Sequence, residues 1–154
     1  MKVKEFMITD VISAAPEMTL AEVMALFVEK KIGGVPVCNK DGKLLGMVTD
    51  GDILRAIQPI DRKIVNFLIY MEYLEEIDVK TRLSDTSDTS IISIAKTKNI
   101  ITVSPDDDMD IAVKHLSCHH FKKLPVVDAE NRVVGVISRG DVIRKIQVTI
   151  LKEL

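Results

Sequence analysis

The amino-acid sequence contains one pattern twice, and this repetition constrains the fold more than any other feature. Residues 3–57 align with residues 92–146 without a gap, at an offset of 89 positions. The segment GMVTDGDIL (46–54) returns as GVISRGDVI (135–143), and several prolines and glycines around it also coincide. One copy is too small to bury a substantial core alone, so we expect the two copies to pack against each other.

Each copy has the pattern of a strand, a helix, two strands and a second helix. The segments VPVC and LPVV are typical of short buried strands, and the turn sequences NKDGK and DAENR lead into LLGMV and VVGVI. Thr19 and Glu22 form a predicted capping box, Asp108 caps the equivalent helix, and the last helices should start at Thr49 and Ser138. The predicted class is therefore α/β, with two pseudo-symmetric β-α-β-β-α repeats packed through their sheets and a helical insertion between them.

The sequence divides into a first repeat (1–57), a helical linker or insertion (58–91) and a second repeat with a C-terminal helix (92–154). Within the linker, PIDRKIVNFLIYMEYLEEI (59–77) has a wide apolar face. This face either packs on its own module or forms a dimer or partner contact. The polar run SDTSDTS (84–90) indicates a flexible or capping stretch.

Composition excludes several classes of function. A formal net charge of −2 provides no general attraction to nucleic acid or to an anionic membrane surface. The longest apolar run is too short to span a bilayer, and the start MKVKEFMITD lacks the apolar core of a secretory signal. Two cysteines indicate no disulfide framework. We therefore expect a cytoplasmic protein that binds neither nucleic acid nor membrane.

The repeated hydroxyl and carboxylate allow two interpretations. Thr49 with Asp52, and Ser138 with Asp141, match the pattern of a helix cap. A carboxylate in the first turn of a helix could equally accept two hydrogen bonds from a vicinal diol such as ribose. The glycine before each aspartate would leave the backbone open to a ligand. The residues alone leave both interpretations open.

The combination of motifs resembles the CBS domain family. Each copy has a proline segment (SAAP, TVSP), then VPV or LPV, then Gly, two apolar residues, Ser or Thr, two variable residues and Asp. The resemblance covers residues 1–57 and 92–148. It implies a Bateman module that binds an adenosine-containing ligand between its repeats, with an adenine nucleotide as regulatory ligand and no prosthetic group. It also implies a homodimer and an unknown regulated protein.

The resemblance assigns roles to individual residues. Asp52 and Asp141 would hold ribose hydroxyls, while Thr49 and Ser138 would hydrogen-bond near the phosphate. The base pocket would be lined by two proline-containing segments, Ser13, Ala14, Ala15 and Pro16, and Thr102, Val103, Ser104 and Pro105. Its apolar wall would come from strand residues, Val35 and Val37 or Leu124 and Val126.

Three cations distinguish the second copy, namely Lys122, Lys123 and Arg139. The equivalent positions of the first copy are Gly33, Gly34 and Asp50. In nucleotide-sensing CBS proteins, basic residues at these positions contact phosphates. The resemblance therefore implies unequal sites, with the better one using the second repeat's residues. The alternative is that these are ordinary solvated charges.

Other chemistry has weaker support. The segment HLSCHH places His115, Cys118 and His119 on one helical face, but ligands from a single helix cannot easily enclose a tetrahedral ion, so we predict no metal site. No catalytic constellation is recognisable, and we predict no enzyme.

Two alternatives to AMP, ADP or ATP sensing remain. One is another adenosine ligand (S-adenosylmethionine, NAD or a cyclic dinucleotide), and the other is a ligand-free dimerisation or scaffold module.

Overall fold

The computed structural model describes residues 1–59, 78–118 and 122–153. The first half contains α1 (Leu20–Lys30), β1 (Gly34–Cys38), β2 (Leu44–Thr49) and α2 (Asp50–Ala56). After α3 (Val79–Thr86), the second half contains α4 (Met109–Leu116), β3 (Lys123–Val127), β4 (Val133–Ser138) and α5 (Arg139–Glu153). This order confirms the predicted α/β class with two repeats. The helix predicted over 60–77 lies outside the described residues.

Each half has a two-stranded antiparallel sheet, with Gly34 opposite Thr49 in one and Lys123 opposite Ser138 in the other. The strand predicted at the start of each copy is only a single parallel bridge, Ala14 to Val37 and Val103 to Val126. The ladder stops because its next donor would be a proline nitrogen, at Pro16 in the first copy and at the equivalent position in the second.

The two halves exchange the segments that precede their helices. The N-terminal residues Val3 and Phe6 belong to the core of the second half, whereas Ile91, the residue just before the second copy, belongs to the core of the first. Backbone hydrogen bonds accompany the exchange, including Met47 N–H to the Lys96 carbonyl at 2.9 Å. Each hydrophobic core is therefore built from residues of both parts of the sequence and not from one repeat alone.

Close approach at this crossing depends on a glycine. A Cβ atom at Gly46 would lie 2.9 Å from the carbonyl oxygen of Lys96, which is shorter than a normal contact. The repeated glycine thus lets the chain that begins the second copy pack directly on β2.

The predicted helix start at Thr19 is confirmed. Its N–H donates to Glu22 Oε2 at 2.8 Å, and the Glu22 N–H donates to Thr19 Oγ1 at 3.2 Å. Further N–H groups of α1 are satisfied by the polar run after α3, since Leu20 N–H donates to the Thr89 carbonyl at 2.9 Å. This part of SDTSDTS therefore caps α1.

Helix α4 also begins after its predicted cap residue, Asp108. The Asp108 carboxylate, however, accepts from Lys2 Nζ at 2.7 Å and makes no side-chain cap bond. Within 1–59, 78–118 and 122–153, no helix is both long enough and apolar enough to cross a bilayer.

Candidate functional site

A cleft of about 440 Å³ opens where β2 meets α2, and its lining comes from both halves of the molecule. The first half contributes the repeated motif at the start of α2, and the second half contributes the beginning of β3. The polar lining is Thr49, Asp50, Asp52, Arg55, Lys96, Lys122 and Lys123. The rest of the lining is Met47, Gly51, Ile100, Ile101 and Pro125.

The Asp52 carboxylate is held firmly at the edge of this cleft. Its Oδ2 accepts from the Thr49 N–H at 2.8 Å and from Thr49 Oγ1 at 3.0 Å. Its Oδ1 accepts from Arg55 Nη2 at 2.6 Å. The side chain of Asp52 is only 14% exposed, so the carboxylate is oriented before any ligand arrives.

The second motif repeats this arrangement. Ser138 Oγ donates to Asp141 Oδ2, and Arg144 Nη2 donates to Asp141 Oδ1 at 2.7 Å. Burial alone would raise the pKa of the Asp141 carboxyl. The hydrogen bonds from Ser138 and Arg144 outweigh that effect and hold the pKa below its ordinary value. The capping interpretation is therefore realised in both copies, with each carboxylate oriented by its hydrogen bonds.

The two lysines before β3 extend into the cleft of the first motif. Lys122 Nζ lies 3.7 Å from Asp50 Oδ1, and Lys123 Nζ donates to the Gly34 carbonyl at 3.0 Å. Burial lowers the pKa of the Lys123 ammonium, while the Asp141 carboxylate opposes this shift. The side chain of Lys123 thus crosses from the second repeat to the first, although its backbone is paired with Ser138.

Arg139 is separated from those lysines. Its backbone N–H donates to the Lys122 carbonyl at 3.2 Å, as the Asp50 N–H donates to Gly33 in the first copy. Its guanidinium donates to the carbonyl of Cys118, at the end of α4. The sequence grouped Lys122, Lys123 and Arg139 around one phosphate. In the structure both lysines line the cleft at the first motif, and Arg139 is not among the residues that line it.

The residues expected to form the apolar wall lie in the two cores. Val35, Val37, Leu124 and Val126 are each 0% exposed, so in this structure they have no surface to offer a ligand. The apolar surface of the cleft comes instead from Met47, Ile100, Ile101 and Pro125.

The segments expected to line the base pocket run beside the strands. Ala14 and Val103 are buried in backbone bridges to β1 and β3, whereas Ser13 is exposed. Half-buried Pro16, Thr102 and Pro105 flank these bridges. Ile100 and Ile101, immediately before Thr102, line the cleft, so this end of the second segment reaches the site.

The histidine and cysteine cluster is only partly described, since His119 and His120 lie outside the described ranges. Among the residues that the structure describes, no group of three potential ligands could hold a metal ion. Cys118 lies two residues beyond the end of α4, and its Sγ donates to the Lys114 carbonyl at 3.5 Å.

Comparison with known proteins identifies the family. The sequence profile of the CBS domain matches residues 3–59 and 91–148, which together make up most of the chain. The chain belongs to the CBS domain family. The two matched regions show that it is a CBS domain pair, as the repeated motifs suggested.

Curated relatives differ in length. An uncharacterized protein of Methanocaldococcus jannaschii is 33% identical over 133 residues, covering 80% of this chain and 79% of the relative. The Arabidopsis thaliana CBS domain-containing protein CBSX1 is 31% identical over 132 residues, covering 84% of this chain and 56% of that protein. The CBS pair spans only 24% of a related Methanohalobium evestigatum homoserine O-acetyltransferase, so this region also occurs within larger enzymes.

Solved structures share the fold. CBSX2 of Arabidopsis thaliana in complex with AMP has a TM-score of 0.71 and 25% identity, covering 96% of this chain and 98% of that one. The CBS domain pair of protein MJ0100, in complex with 5′-methylthioadenosine and S-adenosyl-L-methionine, has a TM-score of 0.71 and 21% identity. That match covers 97% of this chain and 98% of the other.

Several cleft residues were absent from the sequence-based assignment. Arg55 recurs as Arg144 at the same offset, a repetition that could have indicated a role beside the aspartate. Lys96, Ile100 and Ile101 enter the first motif's cleft through the exchange of segments. No pattern within a single repeat signals that exchange.

Proposed function

We propose that this CBS domain pair senses an adenine nucleotide, with AMP as the first candidate and ADP and ATP next. One observation carries the proposal. The cleft at Thr49 brings together the Asp52 carboxylate, which suits a ribose diol, and two lysines from the other repeat, which suit phosphate. The cleft volume of about 440 Å³ also falls within the range of small-molecule sites.

The charge of the cleft supports an anionic ligand. Four basic and two acidic side chains line it, so the cleft has an excess of positive charge. The Asp50 carboxylate would by itself repel a polyphosphate, but Lys122 Nζ lies 3.7 Å from Asp50 Oδ1 and offsets that repulsion. Lys123 remains beside Thr49, at the start of the motif.

The same geometry favours the first motif over the second for phosphate. The residues equivalent to the two lysines are Gly33 and Gly34, so the first repeat offers the second motif no lysine from these positions. The proposal therefore reverses the ranking expected from the sequence. The sequence assigned the cations to the motif of their own repeat, whereas their side chains cross to the other.

Ligand binding would act by biasing conformation. A ligand shifts a conformational equilibrium only through differential affinity for its states. Because the cleft is lined by both repeats, a nucleotide there would change how the repeats sit together. In the proposed mechanism the pair is a cytoplasmic, non-catalytic homodimer, and an unknown protein reads the change.

Two observations from relatives bear on the ligand. The AMP complex of CBSX2 supports the AMP proposal. The complex of the MJ0100 CBS pair keeps S-adenosylmethionine and methylthioadenosine as the competing outcome. A ligand without phosphate would make no use of the lysines. Charge reversal at Lys122 and Lys123 should therefore weaken the binding of a nucleotide and leave the binding of a phosphate-free ligand unchanged.

A ligand-free scaffold is the second candidate function, and the capping network favours it. Both oxygens of Asp52 and of Asp141 already accept hydrogen bonds from neighbouring side chains. If capping were their only role, Asp52→Asn would lower stability and leave ligand binding unchanged.

Thermal unfolding of ligand-stripped protein tests the proposal against a panel of AMP, ADP, ATP, adenosine, NAD, a cyclic dinucleotide and S-adenosylmethionine. A ligand present at about a hundred times its Kd should raise the Tm by about 5 to 11 °C. We expect this shift with AMP in the wild type and in Asp41→Asn, an exposed turn control, and its loss in Asp52→Asn. No shift with any compound would favour the scaffold function.

A further inference from the structure

An arginine folds back over the repeated Ser/Thr-x-x-Asp motif of each repeat. Arg55 Nη2 lies 2.6 Å from Asp52 Oδ1, and Arg144 Nη2 lies 2.7 Å from Asp141 Oδ1. A Cβ atom at the intervening Gly51 would lie 3.3 Å from Arg55 Nη1. The equivalent distance in the second repeat is 3.2 Å. The space left by each glycine is therefore occupied by a guanidinium.

The hydrogen-bond capacity of the carboxylate makes this position consequential. An ionised carboxylate has about four acceptor positions. In Asp52, the N–H and hydroxyl of Thr49 occupy those of Oδ2, and Arg55 occupies one on Oδ1. A ribose diol brings two donors, but only one position is left. One of the existing donors must therefore leave when a diol binds through both hydroxyls.

The guanidinium is the donor that can leave at least cost. The Arg55 side chain is 67% exposed and that of Arg144 is 73% exposed, whereas the two carboxylates are 14% and 17% exposed. Exposed ion pairs are weak, because water and salt screen them. The two Thr49 donors, in contrast, are part-buried, and the N–H is fixed by the helix start. The arginine is thus the displaceable partner.

We propose that Arg55 and Arg144 are covers that occupy a ribose-binding oxygen in the ligand-free state and are displaced by the diol. This inference rests on the proposed adenosine-binding function. The covers keep each carboxylate oriented in the empty site, and they lower the affinity for any diol. They are specificity-determining positions, because a ligand lacking one of the two hydroxyls has less need to displace them.

The test is calorimetric titration with adenosine, which is uncharged and so is not attracted to the arginines themselves. We expect R55A/R144A to bind adenosine about twofold to fivefold more tightly than the wild type, the fold-change of one exposed ion pair. The single variants assign the effect to one cleft. R132A is the matched control, since Arg132 forms an exposed pair with Asp128 in the β3–β4 turn.

Salt provides a readout that a merely structural role would not change. Raising KCl from about 20 to about 300 mM weakens the cover, so adenosine affinity should rise in the wild type and in R132A. In R55A/R144A that rise should be lost. A cover that blocks binding entirely would appear as adenosine binding by the variant alone, which also supports the inference.

The outcomes separate the two proposals. If the wild type binds adenosine and R55A/R144A binds it equally or more weakly, the cover inference is overturned and the proposed function stands. If neither protein binds adenosine, AMP or S-adenosylmethionine, the proposed function fails and the cover inference falls with it.

Discussion

Replacement of Lys123 by methionine should weaken AMP binding while leaving adenosine binding nearly unchanged. Lys123 begins β3 of the second repeat, yet its ammonium lies in the first cleft, 3.0 Å from the Gly34 carbonyl. Methionine retains most of the apolar length of the side chain and removes only the charge. AMP and adenosine differ by the phosphate, so comparison of the two ligands isolates the contribution of that charge.

The expected magnitude follows from the burial of the ammonium. Lys123 is half-buried, and a hydrogen bond to a charged group contributes about 1.5 to 3 kcal/mol, so AMP affinity should fall about 10-fold to 150-fold. The side chain of Lys122 is 66% exposed, and an exposed pair contributes less than about 1 kcal/mol. Lys122→Met should therefore weaken AMP binding by at most about fivefold.

Isothermal titration of the two variants with AMP and with adenosine provides the assay. Lys40→Met is the matched control, because Lys40 is exposed in the turn at the opposite end of the β1–β2 hairpin from Thr49. Equal losses for AMP and adenosine would show a structural defect rather than a lost phosphate contact. Unchanged AMP affinity in Lys123→Met would refute the assignment of the phosphate to this lysine.

Three further predictions concern stability, each measured by urea unfolding. The pKa of the Asp141 carboxyl is lower in the folded protein than in the unfolded chain. The ionised carboxylate therefore stabilises the fold at pH values above the unfolded-state pKa, and this stabilisation is lost as the pH falls through the folded-state pKa. Asp141→Asn should therefore cost about 1 kcal/mol at pH 7, and its difference from wild type should shrink as pH falls through the folded-state pKa of the carboxyl; a difference that stays constant with pH would contradict this. Ile91→Ala should cost about 2 to 5 kcal/mol, since Ile91 is 0% exposed in the first core, whereas Val79→Ala, at 57% exposure, should cost little. Thr19→Ala should cost about 1 kcal/mol of stability, because it removes one of the two hydrogen bonds of the capping box. An unchanged urea midpoint of unfolding would argue against this capping contribution.

Much of the fold could be predicted because it depends on local patterns. The strands around VPVC and LPVV, and the capping box at Thr19, follow from apolar runs and from residues three positions apart. The opening strand of each copy was predicted but is a single bridge. Its apolar pattern was correct, but Pro16 and Pro105 remove the donor that would extend the ladder.

The site was harder to predict from the sequence than the fold, because its composition depends on which half of the molecule each segment packs in. No local pattern shows that Val3 packs in the core of the second half and Ile91 in the core of the first. The sequence also does not show toward which repeat a long side chain at the start of a strand points. The alignment placed Lys122 and Lys123 with the motif of their own repeat, whereas both also line the cleft that contains Asp52.

Chemical-shift mapping of AMP binding on isotope-labelled, ligand-stripped protein tests the central claim most directly. We expect saturable amide shifts concentrated at Thr49 to Asp52 and at Lys122 and Lys123, the two stretches that meet in the first cleft. Their appearance together would place the nucleotide between the two repeats. An absence of shifts at saturating AMP, or shifts confined to Ser138 and Asp141, would contradict the assignment of this cleft as the nucleotide site.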